Sequence, residues 1–113
     1  WLRNIAQAGA EVLGIDWTIS LSRAREEIDQ AFDKRIAIQG NLDPSILLSN
    51  QQEIEKRVQQ CFEDLSSVAL KEGNPLDGHI FNLGHGISQL TPPENVAILV
   101  AMVRQYSAAL RTI

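Results

Sequence analysis

Apolar positions along this chain switch between two spacings, a helical one of about 3.6 residues and short, nearly unbroken runs. Leu2, Ile5 and Ala6 fall at helical spacing, and Gly9 stands where a helix C-terminal glycine belongs. The largely apolar run Glu11-Val12-Leu13-Gly14-Ile15-Asp16 predicts a strand that ends in a carboxylate and Trp17. Ser20 or Ser22 can cap the next helix, whose apolar face is Leu21, Ala24, Ile28 and Phe32. A second strand is expected over Arg35-Ile36-Ala37-Ile38-Gln39-Gly40 and is closed by Asn41-Leu42-Asp43-Pro44. The residue before a proline is pushed away from helical angles, so Asp43-Pro44 predicts a loop.

Ser49 with Gln52 three residues on is expected to form a capping box. The helix it opens carries Ile54, Val58, Cys61, Phe62 and Leu65 on one stripe. A looser connection follows from Ser66 to Gly78, with Gly73, Asn74 and Pro75 in it. The stretch Gly78-His79-Ile80-Phe81-Asn82-Leu83-Gly84-His85-Gly86-Ile87 predicts a short buried strand, with Ile80, Phe81 and Leu83 apolar, that runs into Gly-His-Gly. Glycine weakens strand pairing and permits sharp turns, so the strand should end there. Thr91-Pro92-Pro93-Glu94 predicts a helix start with Thr91 as cap, proline at the first position and Glu94 as reciprocal partner. Val96, Leu99, Val103, Tyr106 and Leu110 supply that helix with its buried face.

The resulting order is α, β, α, β, α, β, α. Strands buried on both faces and alternating with amphipathic helices predict an α/β fold with a parallel sheet and right-handed crossovers. A sheet of only this size leaves two long unpaired edges, which proteins avoid. Either the missing strands belong to the same parent chain, which is the expectation here, or another copy covers the edges. The start Trp1-Leu2-Arg3-Asn4-Ile5, with no initiator methionine and no signal-peptide layout, reads as the interior of a helix and points the same way.

Composition narrows the partners. At 113 residues, the chain is at most one domain, 1–113, well short of the roughly 250 residues of a complete eight-stranded α/β barrel. Hydrophobic residues at 44% and charged residues at 21% argue against disorder. Ten Lys plus Arg against fourteen Asp plus Glu give a net charge of −4 with no basic run, so no nucleic-acid partner is expected. A single cysteine excludes an internal disulfide framework and fits a reducing compartment. No apolar run approaches the ~20 residues that span a bilayer, so no membrane partner is expected.

In parallel α/β folds, ligands bind at the carboxyl ends of the strands. Here those ends are Asp16-Trp17-Thr18, Gln39-Gly40-Asn41-Leu42-Asp43 and Asn82-Leu83-Gly84-His85-Gly86, all expected on one rim. From these residues alone, His85 is either a displayed reactive or substrate-holding group or a histidine in an ordinary turn. Asp16 is either a ligand group or an acceptor for nearby backbone N–H groups. His79 is expected at the start of its strand, away from the rim, in a structural or exposed role. Cys61 lies within an apolar stripe and reads as a packed core thiol. No metal site is expected, because His79 and His85 lack metal-ligand spacing and Cys61 is on a helix face. Gly84-x-Gly86 lacks the third glycine of a dinucleotide fingerprint, no lysine follows as in a P-loop, and no Gly-x-Ser-x-Gly elbow is present.

The linked motifs Gly14-Ile15-Asp16-Trp17-Thr18, Ile38-Gln39-Gly40-Asn41-Leu42-Asp43-Pro44, Phe81-Asn82-Leu83-Gly84-His85-Gly86-Ile87 and Thr91-Pro92-Pro93-Glu94-Asn95-Val96 resemble the C-terminal part of the uroporphyrinogen decarboxylase family. The resemblance runs over essentially the whole chain and would cover roughly the last third of a member. It implies a partial (β/α)8 TIM barrel, made of the last three parallel strands with their helices and the helix before them. It also implies a cytoplasmic homodimer, a lyase of porphyrin and haem biosynthesis, that removes CO2 from the four acetate arms of uroporphyrinogen III to give coproporphyrinogen III. Neither a metal nor an organic cofactor is implied. In the family, the pyrrole-binding aspartate and the carboxylate-binding arginines come from the N-terminal part, and a tyrosine and a serine from the middle. None of those motifs occurs in this chain, which therefore has no firmly assigned catalytic residue and is expected to be inactive alone.

Only the strand-end histidine carries over, onto His85, as a substrate contact. Gly84 and Gly86 beside it would clear room for a wide macrocycle, and Asp16, Asn41 and Asp43 would shape the rim. Ser88-Gln89-Leu90 after the histidine loop and a somewhat long connection from Ser66 to Gly78 depart from the family pattern. Two other functions compete. One is a corrinoid-linked methyltransferase of the same barrel superfamily, which would place a cysteine where this chain has His85. The other is a non-catalytic interaction fragment.

Overall fold

Each short apolar run becomes a strand of one parallel sheet, ordered β1 (Val12–Gly14), β2 (Ala37–Leu42), β3 (His79–Leu83). The computed structural model describes residues 2–33, 35–68, 74 and 76–111. Trp1, and Gly73 and Pro75 of the loose connection, lie outside the described residues. The helices are α1 (Leu2–Ala6), α2 (Leu21–Ala31), α3 (Gln51–Ser66) and α4 (Pro93–Arg111), with a 3-10 turn at Pro44–Leu48. Ladder bonds extend past the strands proper: Ile15 N donates to Gln39 O at 2.7 Å and Gly84 N to Leu42 O at 2.8 Å.

In-register partners of parallel strands point to the same side, which assigns two faces to the sheet. Leu13 pairs with Ile38 and Ile38 with His79, while Gly40 pairs with Phe81 and Leu42 with Leu83. This face meets the helices. Leu13, Ile38 and Leu42 join Leu21, Ala24 and Ile28 of α2, Ile54, Val58, Phe62 and Leu65 of α3, and Leu99 and Met102 of α4 in one core. Phe62 stacks on Phe81 and Tyr106, with ring centroids 5.8 and 6.3 Å apart. Such aromatic pairs add about 0.5–1.5 kcal/mol each beyond the area they bury.

The other face carries Val12, Gly14, Gln39, Ile80 and Asn82, and no described helix packs its apolar stripe there, whereas Asn41 turns its amide to the turn after β1. Burial on both faces, expected from the apolar runs, is therefore not met. Val12 is 42% exposed and Ile80 is 48% exposed, because every described helix packs its apolar stripe on one side. Likewise β3, expected to be buried, has only half-buried Phe81 and Leu83 on its covered side.

Several local expectations need correction. The second strand runs on through Leu42, and Asp43 then caps the 3-10 turn, its carboxylate accepting from Ser45 N at 2.9 Å. That turn uses up Ser49, whose hydroxyl donates to Ile46 O, so Asn50 caps α3 by accepting from Glu53 N at 2.9 Å. The Ser49–Gln52 box is displaced by one residue for this reason. At α2 the cap is Ser20, which accepts from Arg23 N, whereas Ser22 is held by the Asp64 carboxylate of α3. At α4 the Thr91 hydroxyl is buried without a hydrogen-bond partner, so the Thr91–Glu94 box does not form. Asn95 instead ties this helix start to Leu47 O and Ser49 O, at 2.8 and 3.2 Å. Gly9 does adopt the left-handed conformation expected after a helix, with φ of +92°.

Arg25 was not expected in the core. It is 1% exposed, bonds Asp29 at 2.7 Å and donates to Ile36 O at 2.5 Å, which pins α2 to the chain entering β2. Asp29 and Ile36 O hold its Nε and Nη2 at the end of the sheet opposite the rim, while Nη1 is buried with no hydrogen-bond partner among the described residues.

His79 occupies the first position of β3, as expected, and its role is structural. The neutral ring donates from Nε2 to Gly40 O at 2.7 Å and meets Phe81 edge-on at 6.2 Å. Burial holds its pKa below the ordinary histidine value; the Gly40 bond opposes this and Arg111 adds to it. A histidine whose folded pKa is depressed takes up its proton first in the unfolded chain. Stability should therefore be complete above about pH 6.5 and fall as the pH drops through that value. His79→Gln keeps a donor for Gly40 but cannot titrate. The unfolding free energy of wild type relative to this variant, measured by urea denaturation, should decline from about pH 8 to about pH 5. A flat difference across that range would contradict the assignment.

Candidate functional site

Parallel strands that all start at one end must also finish together, so the three strand ends form one rim. Each is built for close approach. A Cβ on Gly40 would collide with the backbone oxygen of Ile15, and Gly40 has φ of +141°, a conformation open essentially to glycine. A Cβ on Gly84 would lie 2.6 Å from Trp17 N and 3.0 Å from Asn41 O. The three ends are thus in backbone-to-backbone contact.

Side chains then lock the turn after β1. Asp16 accepts from Thr18 N at 2.8 Å and from the Thr18 hydroxyl. Those bonds, the hydroxyl's first, hold its carboxyl below the ordinary aspartate pKa. The Asn41 amide donates to Asp16 O at 2.9 Å and to Ile19 O, bridging both ends of the turn. Of the two roles open to Asp16, the structure gives it the backbone acceptor's. Asp43 is used similarly at the 3-10 turn.

His85 follows β3 and is exposed, with open space around Gly86. It lines a cavity of about 390 Å³ together with Trp17, Asp43, Pro44, Ser45, Leu48, Gly86 and Ser88. One residue or more from each strand end therefore meets in one concavity. A second cavity of about 350 Å³ adjoins it, lined by Trp17, Thr18, Asn41 and Asp43 on one side and by Arg57, Gln60, Cys61 and Asp64 of α3 on the other. His79 starts β3, but its ring reaches Gly40 O at the base of the rim; it lines neither cavity. Cys61 is largely buried; burial first, then the Asp64 carboxylate, push its pKa up to about 11, the state of an inert thiol. Among the described residues, no three His, Cys, Asp or Glu side chains gather as metal ligands would.

Two features escaped the sequence. Gly84 is occupied by its own protein, since the space of its missing side chain belongs to the Trp17 and Asn41 backbones; only Gly86 faces open space. Trp17 and Leu48, at 53% and 54% exposure, contribute apolar walls beside His85. A tryptophan directly after a strand-ending aspartate was the available signal for the first. Nothing local marks Leu48, which the unexpected 3-10 turn delivers.

A sequence model of the uroporphyrinogen decarboxylase (URO-D) family matches residues 1–106. The chain is 48% identical over 112 residues to a protein of Ralstonia nicotianae named uroporphyrinogen decarboxylase, covering 99% of this chain and 28% of that protein. Similarly named proteins of Herminiimonas arsenicoxydans and a Polaromonas species are 44% and 42% identical, over 97% and 100% of this chain and 28% and 31% of theirs. The chain thus spans between a quarter and a third of the length of the curated relatives it matches.

The two loop glycines should respond oppositely to alanine. Gly84→Ala forces two backbone segments apart and should cost about 1–3 kcal/mol, the usual range for overpacking. Gly86→Ala meets nothing within 4 Å and should stay within about 0.5 kcal/mol of wild type. Chemical denaturation of both variants checks the pair; equal effects would contradict the packing described.

Proposed function

The chain belongs to the uroporphyrinogen decarboxylase family, and from that premise we propose that the whole protein is a carboxy-lyase acting on uroporphyrinogen III. It replaces the four acetate carboxylates by protons, giving coproporphyrinogen III, without metal or organic cofactor. This chain contributes the last three strand–helix units of a (β/α)8 barrel. The sheet face left free by the helices, with Gln39 and Asn82, suits a barrel interior, and the one-sided helical layer suits its outside. A cytoplasmic homodimer belongs to the same proposal. Among the described residues no helix is long and apolar enough to cross a membrane.

Loss of CO2 from a pyrrole acetate needs a place for the electron pair of the breaking C–C bond. Protonation of a ring carbon supplies it: the pair moves into the ring as CO2 departs, leaving an exocyclic methylene. The methylene then takes a proton and the ring carbon gives one back, so each cycle consumes one proton and releases one CO2. The protein's task is to deliver protons and hold a polyanionic macrocycle. His85 suits the second part. It is exposed, unobstructed by Gly86 and backed by the rim, and its imidazole can donate a hydrogen bond, or as a cation pair, to a substrate carboxylate. The observation that carries this role is the cavity His85 shares with the other two strand ends.

In the full-length enzyme, His85→Ala should lower kcat/KM about 10- to 100-fold, the worth of one charged hydrogen bond, with the fold intact. Wild-type kinetics would remove His85 from the site. The 113-residue chain by itself should show no turnover, since the family's anchoring aspartate and arginine motifs are not in its sequence; coproporphyrinogen formation by it would contradict that. Methyl transfer with bound zinc, in place of decarboxylation, would assign the corrinoid-linked function.

A further inference from the structure

Trp17 is 53% exposed, yet the turn beneath it is among the most tightly held segments of the rim. Asp16 bonds Thr18 N at 2.8 Å, Asn41 spans from Asp16 O at 2.9 Å to Ile19 O, and Gly84 lets its backbone sit directly under Trp17 N. An indole on a loose loop pays for its own ordering each time a ligand binds; here the backbone order is already in place. The indole stands between the two rim cavities, lining both the one with His85 and the one with Arg57. Its neighbours on the His85 side include Pro44 and Leu48, so that wall is mainly apolar and a poor seat for a carboxylate. It is a good seat for a flat ring.

We infer that Trp17 is a substrate-binding residue whose indole face supports one pyrrole ring of the macrocycle beside His85. This rests on the decarboxylase function proposed above and adds a ring contact to it. Offset stacking on an electron-rich ring is a modest attraction. Once that ring is protonated at carbon it becomes a cation, and the negative face of an indole attracts cations more strongly, the more so away from water. The contact therefore tightens on the way to CO2 loss, and its removal should reach kcat as well as KM.

The test is steady-state decarboxylation of uroporphyrinogen III by the full-length Trp17→Leu, Trp17→Phe and His85→Ala enzymes, with thermal denaturation and sedimentation of each. Trp17→Leu should lower kcat/KM about tenfold or more, part of it in kcat, while Trp17→Phe, which keeps an aromatic face, stays within about threefold. Wild-type kinetics for Trp17→Leu alongside an impaired His85→Ala would overturn the ring contact and leave the site standing. Wild-type kinetics for both would remove the site itself, and the ring contact with it. Equal losses in Leu and Phe variants with a lowered melting temperature would mark Trp17 as packing and overturn the inference. So would a change in sedimentation with unaltered kinetics per site, which would place the indole between subunits.

Discussion

The rim depends on backbone approaching backbone at two glycines. Gly40 lies against the Ile15 carbonyl and Gly84 against Trp17 N and Asn41 O, so the ends of β1, β2 and β3 are closer than any side chain would allow. Asn41 completes the arrangement by taking two carbonyls of the turn after β1 with one amide. Three groups of the candidate site are positioned by these contacts. Trp17 rides on the turn that Gly84 underlies, Asp43 follows Gly40 by a few residues, and His85 is the residue after Gly84.

Most of the scaffold was legible because amphipathic helices declare themselves. Ile54, Val58, Phe62 and Leu65 are buried as their spacing demands, and so are Leu21, Ala24 and Ile28. The order of elements and the shared rim of strand ends followed from the same pattern. Cap positions were less legible, because Ser49 and Asn50 are equally good caps on composition and only the extent of the preceding turn decides between them. Burial of the strands was misjudged for a different reason. An apolar run reports what a strand is suited to face, and on one side of this sheet the described helices supply nothing to face. Arg25 was invisible because a buried guanidinium is revealed by its partners, Asp29 and Ile36 O, and not by its place in a helix.

The candidate site was half legible. His85 between glycines signalled display at a strand end, and the structure gives it an exposed place in a cavity common to three strand ends. The reason for the glycines was not legible, since a glycine that admits a ligand and one that admits another backbone look alike in sequence. Here Gly86 faces open space and Gly84 does not. The apolar partners of the histidine, Trp17 and Leu48, arrive from segments 68 and 37 residues upstream, and only the fold joins them. What results is a concavity at three strand ends, held by backbone contacts and mixed in its chemistry.

In the proposed function this rim touches the macrocycle. A crystal structure of the full-length enzyme with coproporphyrinogen III bound tests it most directly. A carboxylate or ring nitrogen of the product should lie within hydrogen-bond distance of the His85 imidazole, inside the concavity that Trp17 and Asp43 share with it. A macrocycle seated elsewhere in the barrel, with His85 facing only solvent, would contradict it.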